Sequence, residues 1–177
     1  MKIYFDMDGV LADFDRGVRE LCGIRSIGKY GERTPEENEL MWERIRKLKH
    51  FYRRLDPMPG SCEMFNKVFI RHGKGCEILT GIPIPERQID NAAQDKIEWV
   101  RHNLSNEVKV NIVFRKEKPQ FCTGRDCVLI DDLEKNIFEW EERGGIGILY
   151  RSAKDTLNEL MKLKLLDRQE QKFETFN

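Results

Sequence analysis

The chain has 177 residues, of which 31 are basic and 31 acidic, so its formal net charge at pH 7 is zero. This length suits one domain with a sizeable core. A neutral chain lacks the overall positive charge of proteins that bind a nucleic-acid polymer or an anionic membrane, so we expect a small ligand or another protein as its partner.

The cysteines and the apolar segments predict a reducing, cytoplasmic location. The five cysteines are odd in number and form no CxxC pair, and no segment resembles a signal peptide or a membrane span. Two groupings of zinc-binding residue types, His72 with Cys62 and Cys76, and Cys122 with Cys127, lack an established ligand spacing. We therefore expect core or surface thiols.

Five short apolar runs predict buried strands, over residues 2–5, 76–80, 108–114, 127–131 and 145–150. Helical patterns lie between most of them. A helix capped by Ser61 and ended at Gly73 is predicted, with a second over residues 93–104 and a third around Ile137 and Trp140. This alternation is typical of a parallel sheet with helices on both faces.

The segment after the first strand departs from simple strand–helix alternation. Thr34, Pro35 and Glu37 form a helix start of the capping-box kind, and an apolar stripe from Met41 to Tyr52 follows at helical spacing. We interpret residues 15–58 as a helical cap over the sheet, with a core formed by 1–14 and 59–177. A solvated hairpin without a role is the alternative, which the apolar stripe disfavours.

Polar side chains follow four of the predicted strands. In a parallel sheet the carboxyl ends of the strands share one edge, where ligands bind. The polar residues at those ends are Asp6 and Asp8, Thr80, Lys116 or Lys118, and Asp131 and Asp132.

Several carboxylates at one edge are costly unless a cation compensates them, and a hard, oxygen-preferring metal such as Mg²⁺ is the simplest such cation. A carboxylate beside a phosphate can attack phosphorus, while a hydroxyl and a lysine stabilise the developing charge. These residue types therefore suit phosphoryl transfer. Taken singly, each Asp could merely cap a turn, but the ordered set favours a site.

Four segments, "DMDGVLADF", "ILTG", "FRKEKPQF" and "VLIDDLEKN", resemble in order the four signature motifs of the haloacid dehalogenase superfamily. The first resembles in particular the 5'(3')-deoxyribonucleotidases and their bacterial and phage relatives, and "FYRRLDPMPGS" resembles the return from cap to core in that group. The resemblance implies an α/β fold: a three-layer α/β/α Rossmann-like core with a parallel sheet and a small helical cap inserted after the first strand.

The resemblance also implies roles for the four aspartates. Asp6 would be the nucleophile, and Asp8 the general acid/base, whose main-chain carbonyl would also bind Mg²⁺. Asp6 and Asp131 would be carboxylate metal ligands, and Asp132 would support the metal site or its waters. Asp13 more simply organises the turn that leaves the strand.

For the phosphate, the resemblance implies that Thr80 binds the phosphoryl oxygens together with one lysine. Lys118 is preferred, because "KPQF" leading to "VLIDD" resembles the spacing in the bacterial and phage relatives, and Lys116 remains open. The nucleobase would stack on Phe14, Phe51 or Tyr52, although ordinary packing between cap and core is the alternative for these rings.

Two positions depart from the nucleotidase pattern. Leu133 stands where those enzymes usually carry Arg, and Gly81 stands where they carry Ser. Both changes remove polar contacts near the phosphate or sugar. The Gly81 backbone N–H could still bind the phosphate, and the missing charge could come from an arginine elsewhere: Arg115, Arg125 or Arg151.

The sequence therefore predicts a Mg²⁺-dependent phosphomonoesterase that acts through an aspartyl-phosphate on 5'(3')-(deoxy)ribonucleoside monophosphates. One alternative keeps the chemistry and takes another small phosphomonoester, such as a sugar phosphate. Another is a phosphoacceptor module of the response-regulator type. Receiver domains, however, carry the acidic pair near the first strand and the phosphorylated Asp after a later one, the reverse of the order here.

Overall fold

A parallel five-stranded sheet forms the centre of the protein in the computed structural model, which describes residues 1–28 and 31–167. The strand order is β3-β2-β1-β4-β5. The strands are β1 (Lys2–Phe5), β2 (Cys76–Gly81), β3 (Lys109–Val113), β4 (Cys127–Asp131) and β5 (Ile146–Leu149). The predicted parallel sheet is confirmed.

The first strand lies between β2 and β4, and this register brings the polar strand ends together. Phe5 pairs with Ile78 on one side and with Ile130 on the other. The residues that follow these pairs at the carboxyl edge include Asp6, Thr80 and Asp131. Three segments distant in sequence therefore deliver polar side chains to one place, as expected for a parallel sheet.

Six α-helices are described beside the sheet. They are α1 (Phe14–Cys22), α2 (Pro35–Lys47), α3 (Ser61–His72), α4 (Ala92–Asn103), α5 (Glu134–Glu141) and α6 (Ala153–Lys162). In the described part of the chain, no helix has the length and apolar character needed to cross a membrane.

Alternate residues of the strands enter two separate hydrophobic clusters. Ile3 and Phe5 of β1 belong to the larger cluster, which includes residues of α3, α4 and α6. Tyr4 belongs to a smaller cluster with Leu129 and with Trp140 of α5. Because successive side chains of a strand point to opposite faces, the two clusters mark two covered faces and a three-layer α/β/α arrangement.

Helices α1 and α2 are inserted between β1 and α3, as the resemblance implied. Asp13 caps α1, its side chain accepting a hydrogen bond from the Arg16 backbone N–H at 3.1 Å. The predicted capping box is present at α2, where the Thr34 side chain accepts from Glu37 N and the Glu37 side chain accepts from Thr34 N. The division at residues 15–58 stays a prediction.

Local boundaries differ from the sequence prediction where side-chain or backbone contacts override the apolar pattern. The third strand ends at Val113, because Phe114 begins the 3₁₀ helix Arg115–Phe121. Ser61 is the first residue of α3 and not its cap; its hydroxyl instead donates to the Leu11 carbonyl at 2.8 Å. That bond ties α3 to the turn that follows β1.

Candidate active site

The turn after β1 presents the first two aspartates. The Asp6 N–H donates to the Ile130 carbonyl at 2.9 Å, so its backbone continues the sheet for one more residue. The chain then turns at Gly9, whose N–H donates to the Ala12 carbonyl at 2.8 Å. Asp6 and Asp8 are therefore held at the carboxyl edge by sheet and turn bonds.

Gly9 is required at this turn for two reasons. Its φ of +78° lies in the region that favours glycine, and an added Cβ would lie 2.2 Å from Asp132 Oδ2. The space beside Gly9 is thus already filled by the Asp132 carboxylate. Residues 6–9 and the Asp132 carboxylate therefore pack against each other at the position of this glycine.

Three carboxylates converge at the edge. One oxygen from each of Asp6, Asp131 and Asp132 can be chosen so that all three lie within 4.8 Å of one another. Lys118 contacts two of these carboxylates, with its Nζ 2.8 Å from Asp6 Oδ1 and 2.7 Å from Asp131 Oδ2. The former contact is an ion pair without the geometry of a hydrogen bond.

Burial raises the pKa of Asp132 to about 8, and the negative charges of Asp6 and Asp131 add to this effect. Burial alone would lower the pKa of Lys118, but Asp6 and Asp131 together raise it above its ordinary value. The cluster thus holds three carboxylates, and the Lys118 ammonium group contacts two of them, Asp6 and Asp131. An all-oxygen, electron-rich cluster of this kind fits a hard divalent cation such as Mg²⁺.

Asp131 is held in a fixed orientation. The Asn136 amide donates to both of its carboxylate oxygens at 2.9 Å, and Leu133 N donates to Oδ1 at 3.0 Å. Asn136 lies on α5, the helix that begins just after the paired aspartates. The start of this helix therefore fixes the carboxylate that a metal would require, as a metal ligand's supporting contacts do.

The structure places Lys118, and not Lys116, among the carboxylates. Lys116 is exposed, whereas Lys118 is buried. Both lie in the 3₁₀ helix Arg115–Phe121 that follows β3. This short helix turns one lysine inward and the other outward.

Lys96 is a site residue that the sequence reasoning missed. It lies on α4, is 0 % exposed, and its Nζ donates to Asp8 Oδ2 at 2.6 Å and to Thr80 Oγ1 at 2.9 Å. A signal was present in the sequence, because Lys96 falls on the buried stripe of α4 with Ala92, Trp99 and Val100. A lysine within an apolar stripe needs a buried partner.

Asp8 differs from Asp6 in its surroundings. Burial raises the pKa of Asp8 above its ordinary value, and the positive charge of Lys96 opposes that shift. Its Oδ2 is occupied by Lys96, while Oδ1 is buried without a hydrogen-bond partner. Asp8 also lines the cleft, so its carboxyl group can exchange a proton with a bound group.

A cleft of about 500 Å³ opens onto these carboxylates. Asp6, Asp8 and Lys118 are part of its lining. The lining also includes Phe14 and, from the inserted segment, Arg33, Asn38 and Trp42 among others. Arg33 is largely buried, donates from Nη2 to Asp15 Oδ1 at 2.8 Å, and has an Nε without a hydrogen-bond partner.

Phe51 and Tyr52, predicted as stacking residues, instead lie in the interior. Each is 1 % exposed, and the two rings meet edge to face with centroids 5.2 Å apart. Neither lines the cleft, so their burial corresponds to the packing alternative. Phe14 does line it, and Trp42 lies 6.4 Å away from Phe14 between ring centroids.

The two residues that depart from the nucleotidase pattern lie at the cleft, but only some of the arginines that could replace the missing charge lie near it. Gly81, Leu133 and Arg115 line the cleft, and Arg115 donates to Asn136 Oδ1 at 3.0 Å. Arg125 is exposed and precedes β4, which places it at the amino edge of the sheet, away from the site. Arg151 follows β5, contacts Glu134, and lines a neighbouring groove with Gly9 and Asp132.

Comparison with known proteins agrees with this geometry. Residues 1–162 match the model of the family described as "5' nucleotidase, deoxy (Pyrimidine), cytosolic type C protein". The chain belongs to this family. The family resemblance seen in the four motifs is thereby confirmed, and the chain is a phosphomonoester hydrolase of the haloacid dehalogenase type and not a receiver-type signalling module.

Individual proteins are also similar to this chain. A Bordetella bronchiseptica protein described as "Putative 5'(3')-deoxyribonucleotidase" is 28% identical over 145 residues, covering 75% of this chain and 74% of the relative. The crystal structure of a dehalogenase with an intermediate complex has a TM-score of 0.55 at 12% identity, covering 85% of this chain and 84% of the other.

A hydrolase from Streptococcus pneumoniae TIGR4 has a TM-score of 0.51 at 11% identity, covering 92% of this chain and 97% of the other. At these identities the two solved structures show a shared fold and nothing finer. The fold class predicted from the motifs is confirmed.

Proposed function

We propose that this protein is a Mg²⁺-dependent phosphomonoesterase that forms an aspartyl-phosphate on Asp6. It acts in the cytoplasm on 5'(3')-nucleoside monophosphates, and deoxyribonucleotides are its preferred substrates. The observation that carries the proposal is the cleft itself. Asp6, Asp132 and Lys118 line it, with Asp131 close behind them. The aromatic residues Phe14 and Trp42 belong to the same lining.

In the first step, a carboxylate oxygen of Asp6 attacks phosphorus while the bond to the leaving oxygen breaks. Asp8 supplies a proton to that oxygen, while Lys96 holds its carboxyl group through Oδ2. Thr80 and Lys118 donate hydrogen bonds to the phosphoryl oxygens, where negative charge is held in the transition state.

Asp6, Asp131 and Asp132 would hold the metal, together with the Asp8 main-chain carbonyl that the family resemblance implies. When bound, Mg²⁺ offsets the negative charge of the carboxylates and of the phosphoryl group. Asn136 keeps Asp131 oriented toward this position through its two hydrogen bonds.

In the second step, water attacks phosphorus and the Asp6–phosphate bond breaks. Asp8, now deprotonated, takes the proton from that water, and Asp6 and inorganic phosphate are regenerated. One residue thus serves as acid and then as base, which requires that the same oxygen meet both the leaving group and the water.

The lining of the cleft favours a nucleoside over a compact sugar as the leaving group. Phe14 and Trp42 offer aromatic surface for a base, while the open Arg33 N–H and the Asn38 amide offer hydrogen bonds. A volume of about 500 Å³ is in the ordinary range for a small-molecule site. A sugar phosphate remains the second candidate, because Leu133 and Gly81 supply fewer polar side chains than the nucleotidase pattern.

A phosphate-release assay tests the proposal. We expect turnover of deoxyribonucleoside monophosphates with Mg²⁺, and loss of turnover in EDTA and in Asp131→Asn, which removes a charge at almost constant volume. Full activity in EDTA would refute the metal assignment. Faster turnover of sugar phosphates than of any nucleotide would favour the second candidate.

The variant Trp42→Ala tests whether the cleft binds the nucleobase in addition to the sugar phosphate. A base–aromatic stack contributes on the order of 1–3 kcal/mol, so kcat/KM for a nucleotide should fall by about 5- to 150-fold while that for 2-deoxyribose 5-phosphate is unchanged. Phe138→Ala, which removes an exposed ring of α5, is the matched control. Equal losses on both substrates would assign Trp42 to packing.

A further inference from the structure

Lys96 is a charged side chain whose position the proposed chemistry does not by itself explain. Its side chain is 0 % exposed, and lysine is almost never fully buried unless it is paired. Its Nζ lies 2.6 Å from Asp8 Oδ2 and 2.9 Å from Thr80 Oγ1. One ammonium group therefore joins two residues from different strand ends.

The two oxygens of Asp8 are made unequal by this contact. Oδ2 accepts the hydrogen bond from Lys96, while Oδ1 is buried and has no hydrogen-bond partner. A freely rotating carboxylate would present either oxygen to the substrate. With Oδ2 bound, rotation about the bond to the carboxylate is restrained, so the Asp8 carboxyl group is held in one orientation at the cleft.

The hydroxyl of Thr80 is oriented by the same ammonium. A lysine ammonium has three donors and no acceptor, so in this bond the Thr80 oxygen accepts. The Thr80 hydrogen consequently points elsewhere and remains available as a donor. A phosphoryl oxygen, which only accepts, requires a hydroxyl in this state.

The ring of Tyr52 completes the surroundings of Lys96. The ammonium lies 4.7 Å from the centroid of this ring, within cation–π distance, and Tyr52 is itself 1 % exposed. The aromatic residue that sequence reasoning assigned to a nucleobase therefore covers the lysine. A buried ammonium held from several sides has little freedom to leave its two hydrogen-bond partners.

We propose that Lys96 is a positioning residue that fixes the orientation of the Asp8 carboxyl group for proton transfer to the leaving group and turns the Thr80 hydroxyl toward the phosphoryl group. The inference rests on the proposed aspartyl-phosphate chemistry. It goes beyond that chemistry by adding a residue that the four motifs do not contain.

The test compares leaving groups in single-turnover reactions with Mg²⁺. A sugar alkoxide needs the proton from Asp8, whereas p-nitrophenolate departs without one. General acid catalysis contributes about 10²- to 10⁴-fold. In Lys96→Met, we therefore expect phosphoryl transfer from a deoxyribonucleotide to fall by about 100-fold and transfer from p-nitrophenyl phosphate to fall by less than 10-fold.

Asp95→Asn is the matched control for disturbance of α4. Asp95 is also buried on this helix, but its partners are His50 at 2.7 Å and Asn91 at 3.2 Å, outside the proposed machinery. We expect the ratio of the two substrates to be unchanged in this variant. Equal losses on both substrates in Lys96→Met, or the same change of ratio in Asp95→Asn, would overturn the proposal.

A second experiment uses the unaltered protein, so that a folding failure of Lys96→Met leaves the inference testable. The ¹⁵N resonance of the Lys96 ammonium should shift when inorganic phosphate and Mg²⁺ are added together, because its partner Thr80 then donates to a phosphate oxygen. A resonance that does not respond would overturn the role. If the wild-type protein turns over no phosphomonoester, the proposed function itself is refuted. If it does turn over substrate and only the Lys96 tests fail, the positioning role alone is refuted.

Discussion

Asp6 and Asp8 are two residues apart, yet different lysines contact them. Lys118 contacts Asp6 and also Asp131, while Lys96 contacts Asp8 and also Thr80. The first pairing places an ammonium group between two carboxylates at the candidate metal position. The second holds one oxygen of Asp8 in a hydrogen bond and links it to Thr80. Two identical side chains are thus prepared for different parts of the reaction.

Burst kinetics should separate these two roles. Asp6→Asn should abolish phosphoryl transfer, because an amide is a very poor nucleophile. Asp8→Asn should still accept the phosphoryl group from p-nitrophenyl phosphate but lack the base for hydrolysis, so nitrophenol should appear in a burst approaching one equivalent of enzyme. A burst that persists in Asp6→Asn would place the nucleophile elsewhere.

At this scale the sequence was informative wherever a residue follows a strand directly. Asp6, Thr80 and Asp131 could be located from the apolar runs alone, because the end of a parallel strand fixes where the next side chain lies. Lys96 could not be located in this way, since its place depends on how α4 packs over the sheet. Phe51 and Tyr52 were misplaced for the same reason.

The turn after β1 is the element on which the site most depends. It fits against the segment after β4 only because Gly9 has no side chain, as the 2.2 Å approach of Asp132 to an added Cβ shows. A residue with a side chain here would have to displace a carboxylate. The turn and the acidic pair are therefore a single structural unit.

Gly9→Ala, compared with Gly144→Ala, tests that unit. The two glycines have similar φ values, +78° and +81°, but an added Cβ at Gly144 meets nothing within 4 Å. Both variants should lose about 1–2 kcal/mol of unfolding free energy from the backbone conformation. Only Gly9→Ala should also lose turnover, by at least tenfold, in a phosphate-release assay. Equal turnover in the two variants would contradict the fit.

The helices differ in whether their local signals were recognised in the sequence. Helix α2 has a capping box and buried Met41 and Ile45, so its start and its helical type could be predicted. Helix α6 was missed although Ser152 caps it and its buried residues Ala153, Thr156 and Leu160 recur at helical spacing. Helix α1 likewise has a local signal, the Asp13 cap, which the sequence reasoning interpreted only as a turn.

On the scale of the whole molecule, the zero net charge conceals charged groups at both ends of the sheet. Opposite the site, at the amino edge, Glu77 is buried and contacts Lys2, Lys109 and Asn111. Burial alone would raise the pKa of Glu77, but these hydrogen bonds outweigh it and the pKa is lowered. This cluster joins the first three strands at the edge away from the chemistry.

Glu77→Gln should make stability less sensitive to acid. A lowered carboxyl pKa stabilises the folded state above the ordinary pKa of about 4.3, and that stabilisation is lost as pH falls through the lower, folded-state value. Urea unfolding between pH 5 and pH 3 should therefore show a shallower decline in the variant than in the wild type. Glu63→Gln, at an exposed position of α3, is the control. Parallel declines in all three proteins would exclude this role.

The central position of β1 has a consequence for how the chain reaches its folded state. Ile3 pairs with Cys76 and Lys2 pairs with Cys127, so β1 gains one neighbour only when β2 has been made and the other only when β4 has been made. Contacts of such long sequence separation slow folding, because the entropy of closing the loop is lost before the contact forms. During synthesis the segment Lys2–Phe5 therefore waits unpaired until β2 is made, and stays paired on one side only until β4 follows.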